Sequence, residues 1–86
     1  MAKRRNFKAV VTDGRRTIGE KNTFAWNSAV RATEAILREH ARSLGTYCHG
    51  DMPRVVKDPD GERVYRRTWT VEADGSKLEA FVREVV

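Results

Sequence analysis

Cysteine occurs once in these 86 residues, at Cys48, so no disulfide can form within the chain and its stability has to come from a packed core. A lone thiol suits a reducing compartment, and the expected location is cytoplasmic. Proline occurs twice and glycine six times, too few for a disordered or fibrous chain. The glycines stand singly, with neither GxGxxG nor GxxxxGK spacing, which leaves nucleotide hydrolysis without support. No apolar run approaches the roughly 18 residues of a membrane span. The charged start MAKRRNFK is not followed by the apolar stretch of a signal peptide, so no membrane partner is expected.

What is present is charge and enough apolar material for one core. Hydrophobic residues make up 40% and charged residues 34%, a foldable mixture, and a chain this short supports a single domain. The net charge of +5 is unevenly placed. Residues 1–16 hold Lys3, Arg4, Arg5, Lys8, Arg15 and Arg16 against Asp13 alone, while the remainder carries equal numbers of each sign. A basic arm over residues 1–6, ahead of a domain over 7–86, is the pattern of a segment that meets nucleic acid, a nucleoprotein or an acidic protein surface; a solvated terminus would look the same. Arginine outnumbers lysine 12 to 5, which favours specific contact, because a guanidinium grips phosphate or carboxylate through two parallel hydrogen bonds.

The periodicities order the elements. Phe7 to Thr12 is β-rich and alternating, and Asp13-Gly14 predicts a two-residue hairpin turn that pairs Thr12 with Arg15 and Ala9 with Ile18, placing Arg15 and Arg16 at a projecting tip. The return strand runs from Arg15 to about Lys21 and is weakened by Gly19. From Thr23 to Leu44 the period becomes 3.6, with Trp26, Ala29, Val30, Thr33, Ile36, Leu37, Ala41 and Leu44 on one face. Asn22 or Thr23 is the expected cap, Gly45 the expected stop, and Arg31, Glu34, Arg38, Glu39 and Arg42 the solvated side. After a polar connection over 45–53, Arg54 to Lys57, the turn Asp58-Pro59-Asp60-Gly61 and Glu62 to about Ala73 read as a second hairpin. Trp69 and Val71 are expected on its core face. Ser76 to Val86 satisfies a capping box and an i, i+3, i+4, i+7 pattern, which takes precedence here as a short helix; the alternative is a final strand turned at Asp74-Gly75.

Catalytic chemistry finds little to build on. Cys48, His49 and Asp51, with His40, make a poor zinc set, and adjacent Cys and His side chains point apart, so neither metal, cofactor nor enzyme activity is expected. The segment Tyr65-Arg66-Arg67-Thr68-Trp69 interleaves aromatics with arginines as sheet-based single-strand and RNA binders do, although Tyr65 and Trp69 also suit a core. Arg67 shares their face by alternation, which requires that face to be open or Arg67 to lie at its rim.

The order hairpin, long helix, second hairpin, together with the size and the basic start, resembles the small α+β proteins that bacteriophages encode to block host machinery, anti-CRISPR proteins among them. That resemblance spans Phe7 to Val86 and implies a non-catalytic inhibitor docking on a host complex through charged and aromatic side chains. Double-stranded RNA-binding domains are set aside, because only Lys77 and Arg83 are basic after Ser76. The expected fold is α+β: a mainly antiparallel sheet of about four strands packed on one long helix, with a short carboxy-terminal helix or final strand. An uncovered sheet edge can also pair with a copy of itself as a homodimer. The expected function is binding without catalysis. Lys3, Arg4, Arg5, Lys8, Arg15 and Arg16 would contact nucleic acid or a nucleoprotein, supported by Arg66 and Arg67; the alternative is the phage-type protein inhibitor.

Overall fold

The structure, a computed structural model, describes residues 6–57, 59 and 62–85. Strands β1 (Asn6–Thr12) and β2 (Thr17–Thr23) form a hairpin, followed by helix α1 (Trp26–Ser43). Then come strands β3 (Cys48–Gly50), β4 (Arg54–Lys57), β5 (Arg63–Val71) and β6 (Lys77–Val85). All pair antiparallel in one sheet of order β2-β1-β6-β5-β3, and β4 shares the outer edge of β5 with β3. The fold is thus the expected α+β, with six strands among the described residues in place of about four. The two additions are β3, inside what reads as a polar connection, and β6, where the capping pattern favours a helix.

Strand β6 displaces the expected terminal helix because it fills the centre of the sheet, between β1 and β5. Leu78, Ala80 and Val82 point into the core while Glu79, Phe81 and Arg83 point away, a period of two that so short a segment satisfies as well as 3.6. The turn before it is wider than the dipeptide Asp74-Gly75. Gly75 has φ +71° and donates its N–H to the Val71 carbonyl, and Asp74 Oδ1 accepts from the Ser76 N–H and hydroxyl. Trp69 therefore faces Leu78 and not Ala80. That shift is even, so every side chain keeps its face.

The first hairpin also has a wider turn than the expected dipeptide. Asp13–Arg16 form the loop, Gly14 takes φ +91°, and Asp13 Oδ1 accepts from the N–H groups of Arg15 (2.8 Å) and Arg16 (2.9 Å). Thr12 faces Thr17 and Ala9 faces Lys21, with a bulge beside Val11. Arg15 and Arg16 stand exposed at the tip.

Helix α1 starts at an uncapped Ala25, because Thr23 ends β2 and donates its hydroxyl to the Ala25 carbonyl. It stops at Gly45, whose φ of +69° gives the expected exit. Ala29, Ala32, Thr33, Leu37 and Ala41 are buried, while Leu44, expected inside, is 55% exposed beyond the last turn. The small alanines let the helix lie close over β1, β2 and β6. One cluster gathers Phe7, Ala9, Ala29, Ala32, Tyr65 and Val82; the other joins Val11, Leu37, Val71, Leu78 and Ala80. Thr33 is fully buried but satisfied, its hydroxyl donating to the Val30 carbonyl at 2.6 Å.

Candidate functional site

Among the described residues one helix lies on the six-stranded sheet, and none forms a covering layer on the opposite face. The register assigns the residues of that face: Lys8 and Val10 on β1, Arg54 and Val56 on β4, Val64 and Arg66 on β5, and Glu79, Phe81 and Arg83 on β6. At its centre is a groove of about 500 Å³ with Val10, Val64 and Phe81 along its floor, Val56 and Pro59 at its side, and Arg66, Arg83 and Lys57 around it. No carboxylate is among the described residues that line it. The Arg66 guanidinium lies over the Phe81 ring, 5.2 Å from its centroid, and its terminal nitrogen is 3.6 Å from Glu79.

Like charges meet across these strands. Lys8 faces Arg83, Arg54 faces Arg66 and Lys57 faces Arg63. Directly opposite side chains are about 5 Å apart at Cβ, close enough for like charges to repel. Glu20 relieves Lys8 at 3.3 Å, and Glu79 partly relieves Arg66. Both ion pairs are half-exposed and therefore weak.

The residues singled out from sequence distribute as follows. Lys3, Arg4 and Arg5 lie outside the described residues. Asn6, where the arm joins the sheet, pairs with Val85, two residues from Arg83, so the arm originates at the groove's end of β1. Arg15 and Arg16 stand at the other end, roughly 20 Å along the strand. Alternation also divides the tandem arginines: Arg66 belongs to the open face, Arg67 to the helix side.

On that helix side, Arg67 is held from several directions. Its Nε donates to the Asp51 carbonyl at 2.6 Å, its guanidinium stacks 4.3 Å from the Trp69 ring centroid, and Glu34 stands 3.9 Å away. Gly50 makes room for it, since a Cβ there would lie 2.5 Å from the Arg67 Nε. Arg67 thus fastens β5 to β3 and α1, on the floor of a cleft of about 720 Å³ lined also by Arg38, Arg42, Tyr47, Cys48 and Trp69. Tyr65 is buried and Trp69 half-buried beneath Arg67, so neither offers the sheet a free aromatic face. Burial raises the Cys48 thiol pKa, with Asp74 adding to it, and His49 on the other face of β3 pairs with Glu72. Among the described residues no group of three or more His, Cys, Asp or Glu side chains is placed to hold a metal ion, and no helix is long and apolar enough to cross a membrane.

The chain matches no family model, no curated protein and no solved structure.

Phe81, Arg83, Arg54 and Lys57 escape a reading from sequence. Phe81 sits on the apolar side of the helical pattern, and becomes an open-face aromatic only when residues 77–85 alternate. The available signal is Leu78-Glu79-Ala80-Phe81-Val82-Arg83, whose outward set contains an aromatic flanked by charges.

Proposed function

We propose that this chain is a non-catalytic nucleic-acid-binding module that presents the helix-free face of its sheet, together with the basic arm, to the phosphates of a nucleic acid or nucleoprotein. The carrying observation is the groove on this face, bordered by Arg66, Arg83 and Lys57 with no carboxylate among its described lining residues, where Arg66 faces Arg54 and Arg83 faces Lys8 across the strands. A phosphate between two such cations accepts a charge-assisted hydrogen bond from each and offsets their mutual repulsion.

The test is a fluorescence-anisotropy titration of labelled oligonucleotides across a salt series, with the intact chain and with Arg66→Ala/Arg83→Ala. Binding should weaken with a slope of log K on log salt of about −3 to −5, and the double variant should lower that slope by about 1 to 2. Absence of binding at about 50 mM salt overturns the proposal.

A protein partner, as for the phage inhibitors, is the second reading. It is favoured by Tyr47, 75% exposed at the helix-side cleft, and Met52, 84% exposed after β3, residue types enriched in protein interfaces. Under the nucleic-acid reading, Tyr47→Ser/Met52→Ser leaves oligonucleotide affinity unchanged.

A further inference from the structure

Resting on the nucleic-acid reading above, we infer that the groove seats one unpaired base against Phe81, so that the ligand is a single strand and not a duplex. Phosphate binding needs only the cations, and the groove offers more. Its floor of Val10, Val64 and Phe81 is apolar, and its volume of about 500 Å³ falls in the range of small-ligand pockets. A duplex keeps its bases stacked inside the helix and would bring only phosphates to this face, leaving that floor uncovered. A single strand can turn a base out onto an aromatic ring while cations hold its backbone.

The geometry supplies both contacts at one place. Arg66 is the cross-strand neighbour of Phe81, and Arg83 stands two residues along β6, about 7 Å away. A base on the ring therefore leaves its flanking phosphates within reach of both. Arg66 covers the ring, retained by a Glu79 contact of 3.6 Å between half-exposed side chains. So weak an ion pair yields readily to a phosphate. Arg66 then moves from Phe81 to the backbone and the base takes its place.

The experiment compares the full chain with Phe81→Leu, Phe81→Tyr and Glu79→Gln on a pyrimidine-rich single strand, in DNA and RNA forms, and on the matching DNA duplex. A parallel single strand carries one 2-aminopurine, whose fluorescence falls when it stacks. The expected result is at least a tenfold preference for the single strand, quenching on binding, and a roughly tenfold loss of single-strand affinity in Phe81→Leu. Duplex affinity and the salt slope should not change. Phe81→Tyr keeps the stacking face and should bind and quench like the parent, which separates lost stacking from lost folding. Glu79→Gln should tighten single-strand binding severalfold by releasing Arg66.

Equal affinity for strand and duplex, with Phe81→Leu indistinguishable from the parent, overturns this inference and leaves the phosphate reading intact. No binding to any oligonucleotide overturns both. A tenfold difference between the DNA and RNA strands would assign the source without altering the site.

Discussion

Arg66 and Arg67 are adjacent in sequence and have different fates, because successive side chains on a strand leave opposite faces of the sheet. Arg67 is enclosed by Gly50, Trp69, Asp51 and Glu34, while Arg66 is exposed and held weakly. Gly50→Ala must expel the Arg67 guanidinium, losing a charge-assisted hydrogen bond and a stacking contact. It should destabilise the chain by about 1–2 kcal/mol, read as a lower urea midpoint. In an Arg67→Ala background the same substitution should have almost no effect, a non-additivity that a double-mutant cycle measures. Additive effects would show that Gly50 matters for its backbone alone. Cys48 gives a second residue-scale expectation. With its pKa raised by burial, its thiol stays protonated at neutral pH and should react with iodoacetamide more slowly than a free cysteine, speeding up on unfolding.

At the scale of elements, β6 carries the most weight, since both halves of the core close on it. Substitutions along Lys77–Val85 should alternate in consequence. Leu78→Ala should cost about 2–5 kcal/mol by cavity formation, and Glu79→Ala should stay within about half a kcal/mol. A helical segment would instead make the effects recur every three to four residues. The turns also respond to acid. Backbone N–H groups of Arg16 and Arg15 lower the Asp13 pKa, and Ser76 lowers that of Asp74 through its backbone and hydroxyl. Both carboxylates favour the folded form when ionised. Their contribution is fully present above the unfolded carboxylate pKa, near 4, and is lost as pH falls through the lower folded values. Asp13→Asn/Asp74→Asn should therefore narrow the difference in urea midpoint between pH 6 and pH 3.

For the whole molecule, the charge seen along the chain is not the charge seen in space. Half the chain's length from its basic start, Arg54, Arg66 and Arg83 come from sequence stretches that are neutral on balance, and β4, β5 and β6 bring them onto the sheet face that carries Lys8. Reversing one partner should separate folding from function. Arg54→Glu faces Arg66 with an opposite charge, and should stabilise the fold by about 0.2–1 kcal/mol, a rise in Tm of a few degrees. The same change should weaken oligonucleotide binding severalfold. A drop in Tm would mean that Arg54 and Arg66 do not repel one another in the folded chain.

The sequence by itself determined the α+β class, the long amphipathic helix with its Gly45 stop, the β4–β5 hairpin and the inward side of β5, because these follow from local periodicity and turn chemistry. The expectation of a short helix after Ser76 failed where two periods fit one brief apolar pattern. Only the tertiary structure decided it, since β1 and β5 each needed a hydrogen-bonding partner and β6 supplies both. The same long-range pairing drew Cys48–Gly50 into a strand, moved Phe81 from the apolar side of a helical pattern to the floor of an open groove, and parted Arg66 from Arg67. Lys8 and Arg66 were legible as basic residues from composition and alternation. Their neighbours Arg83 and Arg54 were not, because which strands lie side by side is settled by how the sheet closes its core, and no stretch of sequence carries that information alone.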